Sequence, residues 1–74
     1  MYYVYVLHSE ADQGLYIGFT GDLAARVQAH NDGRSKSTAG RRPLRLIYYE
    51  AYWVEADALG ERTFFEERFW AAIH

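Results

Sequence analysis

The chain contains no cysteine. Disulfides and thiolate metal sites are therefore excluded, an absence compatible with the cytoplasm. Nor is there any run approaching the ~18 apolar residues that a membrane span requires. The first residues, MYYVYVLHSE, lack the basic n-region and small-residue cleavage site of a signal peptide. A soluble, unexported, cytoplasmic protein with no membrane partner is the expectation. The chain also lacks repeats, linkers and low-complexity segments, so residues 1–74 are expected to form one domain.

What is present is aromatic. A small domain buries a smaller share of its surface and needs large side chains or staples. Seven Tyr, four Phe and two Trp supply them, and Tyr and Trp keep polar tips for a site or an interface. The formal net charge of −2 argues against a polyanion partner, but its distribution argues for one. Between Arg26 and Arg45 lie six basic residues against the single acid Asp32, a local balance of +5. The segments on either side carry −3 and −4. Such asymmetry suggests either a basic face for nucleic acid or a solvated basic loop.

Tyr2 to His8 alternates and is rich in Tyr and Val, the pattern of a half-buried strand. SEADQG is turn chemistry, and Leu15 to Phe19 resumes as the second arm of a hairpin. Gly18 inside that arm marks a bulge or a close approach to the backbone. Thr20 or Asp22 can cap a helix running to about His30 or Asn31, on which Leu23 and Val27 form one i, i+4 pair and Arg26 and His30 another. Asn31 to Pro43 is loop and carries most of the basic charge. Leu44 to Tyr52 is a third strand, and from about Val54 a second helix shows an apolar stripe of Ala58, Leu59, Phe65 and Phe69. The order β-β-α-β-α predicts an α+β fold, a three-stranded mostly antiparallel sheet flanked by helices.

These residues resemble the GIY-YIG endonuclease superfamily, in particular its small stand-alone bacterial members. Tyr3-Val4-Tyr5 is similar to the first half-motif, with Tyr3 replacing the glycine, and Tyr16-Ile17-Gly18 is the second half-motif unaltered. Arg26 stands ten residues past Tyr16, in the position of the family's catalytic arginine, and His30 and Asn31 follow at the family's spacing. The likeness covers roughly residues 1–60. It implies an endonuclease that hydrolyses phosphodiester bonds of nucleic acid, chiefly DNA, with one divalent metal, Mg²⁺ or Mn²⁺, and acts as a monomer or weak homodimer. Tyr5, Tyr16, Arg26 and His30 are the implied catalytic residues. Gly18, Asn31, Arg34, Lys36, Ser37, Thr38, Arg41 and Arg42 are the expected nucleic-acid contacts, and a glutamate on the second helix holds the metal.

The residue chemistry is consistent with those roles. A tyrosine titrates near pH 10, so one acting as a base needs a cation or metal beside it. Arginine suits phosphate because its planar fork gives two parallel charge-assisted hydrogen bonds. The second helix departs from the pattern. In register from Ala58-Leu59, the metal-binding glutamate falls on position 62, which is Arg62, while Glu61 stands one place earlier. At 100° per residue, Arg62 lies about 40° from Ala58 and Glu61 about 60° to the other side. Either Glu61 is brought into the site as the metal ligand, or Arg62 faces it and the chain is a non-catalytic DNA- or RNA-binding domain. A third reading, a pseudoenzyme that binds another protein through exposed aromatics, is the weakest.

Overall fold

The computed structural model describes residues 1–68. Three strands, β1 (Tyr2–Ser9), β2 (Leu15–Thr20) and β3 (Leu44–Tyr52), and two helices, α1 (Leu23–Asn31) and α2 (Glu55–Arg68), follow the expected order. The sheet order is β2-β1-β3 and every pairing is antiparallel. No helix of the described residues is long and apolar enough to cross a membrane.

The central strand differs from its sequence pattern. A half-buried β1 is expected, yet Val4, Tyr5, Val6 and Leu7 are all buried. The helices cover opposite faces of the sheet. Val4, Val6 and Ile17 pack under Ala58 of α2, with Tyr2, Leu15, Phe19 and Tyr52 around them. Tyr5, Leu7 and Leu44 pack on the other face with Leu23 and Val27 of α1 and with Tyr16 and Leu46. A strand covered on both faces is apolar at successive positions rather than alternate ones. The four core residues Val4, Val6, Ile17 and Ala58 alone account for several kcal/mol of burial, at ~1.5–3 kcal/mol per fully buried Val or Ile side chain.

Asp22 caps α1, its Oδ1 accepting from the Ala25 amide at 3.2 Å, which satisfies one of the helix's free amides. The segment between α1 and β3 holds one 3₁₀ turn, Ala39–Arg41. Asn31 closes it. Its side-chain amide donates to the Leu44 carbonyl and its oxygen accepts from the Leu44 amide, both at 2.8 Å, fastening the start of β3 to the end of α1. In α2 only two residues of the expected stripe can be placed by their side chains among the described residues. Ala58 is buried but Leu59 is 42 % exposed, and Phe69 and the side chain of Phe65 lie outside the described residues.

Candidate active site

Strand register brings the two tyrosines together. Tyr5 pairs with Gly18 and Leu7 with Tyr16, so Tyr5 and Tyr16 lie diagonally on the α1 face of the sheet, ring centroids 6.3 Å apart. Gly18 is where the Tyr5 ring crosses β2. A Cβ there would overlap Tyr5 Cζ and Oη and stand 2.8 Å from Cε1. This close approach is what the glycine provides; its backbone is buried, which corrects the expectation that it contacts nucleic acid.

His30 completes the cluster from the last turn of α1. It is fully buried, with Tyr16 edge-to-face at 4.9 Å and Tyr5 at 5.8 Å. Both ring nitrogens are engaged: Nε2 with the Tyr5 hydroxyl at 2.9 Å and Nδ1 with Thr38 Oγ1 at 2.7 Å. Burial, and secondarily the charge of Arg26, push the imidazole below its ordinary value, so it is neutral near pH 7. A neutral ring that accepts the Tyr5 proton at Nε2 carries its own on Nδ1 and donates it to Thr38; this tautomer is assigned from the two partners.

Arg26 lies one turn before His30. Its guanidinium faces the Tyr5 hydroxyl first and Tyr16 second, and both hold its pKa up. Tyr5 itself is pushed up, because burial outweighs the lowering by Arg26. Near neutral pH it is therefore a phenol that donates, not a phenolate. The cation beside it moderates this without reversing it.

The structure gives several expected contact residues other work. Thr38 is fully buried behind His30, and Asn31 is spent on Leu44. Thr38 is thereby corrected from a surface contact to an internal support, while Asn31, part-exposed, fastens β3 to α1. Each lies in a segment with little regular structure, where side chains must satisfy buried polar groups. Arg41 is clamped on Asp12 at 2.7 and 3.3 Å and on the Leu15 carbonyl, which holds the loop against the hairpin. Arg42 donates to the Ala39 carbonyl, Arg34 pairs with Asp32, and Ser37 meets Ser35. Lys36 makes no ion pair among the described residues and is exposed. A hollow of about 570 Å³ lies between α1 and the sheet, lined by Tyr3, Tyr49, Gln28 and Leu46 and by Asn31 and Asp22, the last two already engaged.

The metal that the resemblance implies finds no matching donor set. Among the described residues no three His, Asp or Glu side chains converge. Glu61 acts on Tyr52, whose hydroxyl points to Glu50 and is pushed up to about 12 by burial first and then by Glu50 and Glu61. Arg62, not Glu61, is the α2 charge acting on Tyr5. A hard divalent cation needs carboxylate oxygen, which a guanidinium cannot replace. At position 62, where the resemblance expects the metal-holding glutamate, the chain presents Arg62. Thr38 is a support of His30 that residue spacing did not suggest; a hydroxyl at i+8 from a buried histidine was the available signal.

A family model described as the GIY-YIG catalytic domain matches residues 1–69. A UPF0213 protein of Lacticaseibacillus paracasei is 46% identical over 68 residues, 90% of this chain and 75% of that protein. A UPF0213 protein of Pediococcus pentosaceus is 43% identical over 68 residues, 90% and 70% of the two chains. No solved structure matches.

Proposed function

Because the chain belongs to the GIY-YIG family, we propose that it is a nucleic-acid endonuclease whose pocket of Tyr5, Tyr16, Arg26 and His30 takes one phosphodiester and hydrolyses it. The observation that carries this reading is the Arg26 guanidinium set against a Tyr5 hydroxyl that also meets His30. In this reading a water attacks phosphorus and gives its proton to the Tyr5 oxygen as Tyr5 passes its own to His30 Nε2. The P–O bond to the leaving oxygen breaks, that oxygen takes a proton from solvent, and His30 returns the proton it accepted to solvent through Tyr5. Arg26 offsets the charge gathering on the non-bridging oxygens. Arg34, Lys36, Ser37 and Arg42, all exposed, hold the flanking backbone and bring affinity with little sequence preference. DNA is the expected substrate, in the cytoplasm, with the protein a monomer or weak homodimer.

A second reading, a DNA- or RNA-binding domain without cleavage, is favoured by Arg62 acting where a metal-holding carboxylate is needed. One experiment separates the two. Branched and single-stranded DNA are incubated with the protein, in Mg²⁺ and in EDTA, beside Arg26→Ala. The enzymatic reading expects cleavage that Arg26→Ala lowers by about 100-fold or more. Cleavage that survives Arg26→Ala sinks it, and salt-sensitive binding without cleavage establishes the second.

A further inference from the structure

Thr38 belongs to the basic segment between α1 and β3, yet its side chain is fully buried against His30. Its place is fixed through the backbone. The Thr38 amide donates to the Ser35 carbonyl at 3.2 Å, and the Thr38 carbonyl accepts from the Arg41 amide at 2.9 Å. Arg41 in turn is anchored on the hairpin, by its side chain on Asp12 and by its carbonyl, which accepts from Ser9 Oγ at 2.6 Å. Tyr5 Oη, the two ring nitrogens of His30 and Thr38 Oγ1 thus form one buried line, with links of 2.9 and 2.7 Å. A neutral imidazole in such a line has two proton placements. With the proton on Nδ1, Thr38 accepts and Nε2 takes the Tyr5 hydrogen; with it on Nε2, Thr38 donates and Tyr5 accepts. The Tyr5 hydroxyl selects between them. It is fully buried, and the other polar group set against it is the Arg26 guanidinium, a donor with no acceptor. Among the described residues, Nε2 is therefore what receives the phenol hydrogen.

We propose that Thr38 is a positioning residue for the phosphodiester reaction: its hydroxyl accepts from His30 Nδ1 and so keeps Nε2 bare to take the Tyr5 proton. The inference rests on the reading that Tyr5 gives its proton to His30 during cleavage, but its first measurement needs no cleavage. Thr38 acts as the third member of a chain in which a base is held in one tautomer and one ring orientation. It also serves the step itself. When Nε2 takes the Tyr5 proton the ring becomes an imidazolium with two N–H donors, and Thr38 remains the acceptor for the one at Nδ1. No proton leaves Nδ1, and Thr38 keeps its own hydrogen throughout. A valine of the same shape has no oxygen to offer. The Nδ1 proton would then be a buried donor without a partner, and placing it on Nε2 lets it donate to the Tyr5 oxygen instead. That tautomer has no lone pair at Nε2 for the Tyr5 proton.

Long-range proton–nitrogen correlation spectra of the imidazole rings read the tautomer directly, since a bare nitrogen and an N–H nitrogen resonate far apart. His30→Gln identifies the His30 signals, and circular dichroism confirms that each variant is folded. Wild type is expected to carry the His30 proton on Nδ1, as is Thr38→Ser, which keeps the oxygen. Thr38→Val should move it to Nε2. With labelled branched DNA in Mg²⁺ buffer, Thr38→Val should lower kcat by about 100-fold, the scale of a lost general base. KM should stay within about twofold, because a buried hydroxyl touches no nucleic acid. Thr38→Ser should keep most of the rate. Thr38→Cys, nearly the same size with a weak sulfur acceptor, should shift tautomer and rate in the direction of valine and keeps the idea testable if Thr38→Val misfolds. A wild type with the proton on Nε2 overturns the proposal, as does a folded Thr38→Val that keeps Nδ1 protonated or cleaves like wild type. A raised KM at unchanged kcat also overturns it, since that is a displaced loop rather than a displaced proton. The wrong tautomer in a wild type that cuts sinks this proposal alone; a wild type that cuts no DNA sinks the nuclease reading beneath it.

Discussion

Replacing Gly18 by alanine tests the seat of Tyr5 directly. In an ordinary strand interior the change stabilises by ~0.5–1 kcal/mol, because glycine loses more freedom on folding. Gly18 is not in the left-handed backbone region, so no conformational strain opposes the new side chain. The sign is decided by the Tyr5 ring tip, which the new methyl would overlap. Tyr5 is fully buried and bonded to His30, so it has little room to yield. Overpacking of this kind costs ~1–3 kcal/mol. Swinging the hydroxyl off His30 Nε2 adds ~1 kcal/mol for the lost bond. Less the ~0.5–1 kcal/mol gained over glycine, the expected net destabilisation is ~1–3 kcal/mol, a large part of the roughly 4–11 kcal/mol available to a domain of this size. By thermal unfolding that is a midpoint lower by about 5–25 °C. Urea denaturation of Gly18→Ala in the wild-type and Tyr5→Leu backgrounds isolates the cause, because the cost should fall below ~1 kcal/mol once the ring is gone. A stabilised Gly18→Ala, or a cost equal in both backgrounds, refutes the close-approach argument.

His30 should give stability a pH dependence in a window set by its depressed value. The folded protein holds it neutral, so protons favour the unfolded chain once pH falls below the unfolded value near 6.5. Stability is therefore fully present above that value and is lost as pH falls toward the lower folded value. Urea midpoints at pH 7.5 and 5.5 should differ in wild type and much less in His30→Gln; equal slopes would refute it. Asp12, held down to about 2 chiefly by Arg41, loses its contribution only below the ordinary carboxylate range and so does not confuse this window. Asn31→Ala removes both bonds to Leu44 and leaves the strand's first backbone groups without partners, a cost of ~1–3 kcal/mol. Faster hydrogen exchange at the Leu44 amide is the specific signature, and an unchanged exchange rate would contradict the fastening role.

The strands and helices were legible because each carries its own local signal: the Tyr/Val run of β1, the YIG of β2, the LRLIYYEAY of β3 and Asp22 before α1. Burial of β1 on both faces was not, because it depends on α1 and α2 taking opposite sides of the sheet. Nor was the register shift in which Ile47 is the extra residue between the Val6–Tyr48 and Leu7–Leu46 pairs. In the basic loop, composition counts charges but cannot distinguish a spent cation from a free one. Arg41 is captured by an aspartate 29 residues earlier, and Thr38 is turned inward by a histidine.

The second helix makes the same point most sharply. Residue spacing places Glu61 and Arg62 about 100° apart but leaves the rotation of the whole helix undetermined. The burial of Ala58 against Val4, Val6 and Ile17 supplies that rotation. With Ala58 facing the sheet, one flank of α2 brings Arg62 to act on Tyr5 and the other brings Glu61 to act on Tyr52. Turning Glu61 toward the α1 face would rotate Ala58 off its seat and bring a larger side chain over Val4, Val6 and Ile17, the other buried residues of that core among the described residues. The sign of the charge beside the tyrosines is thus decided by an alanine contact with no chemistry of its own.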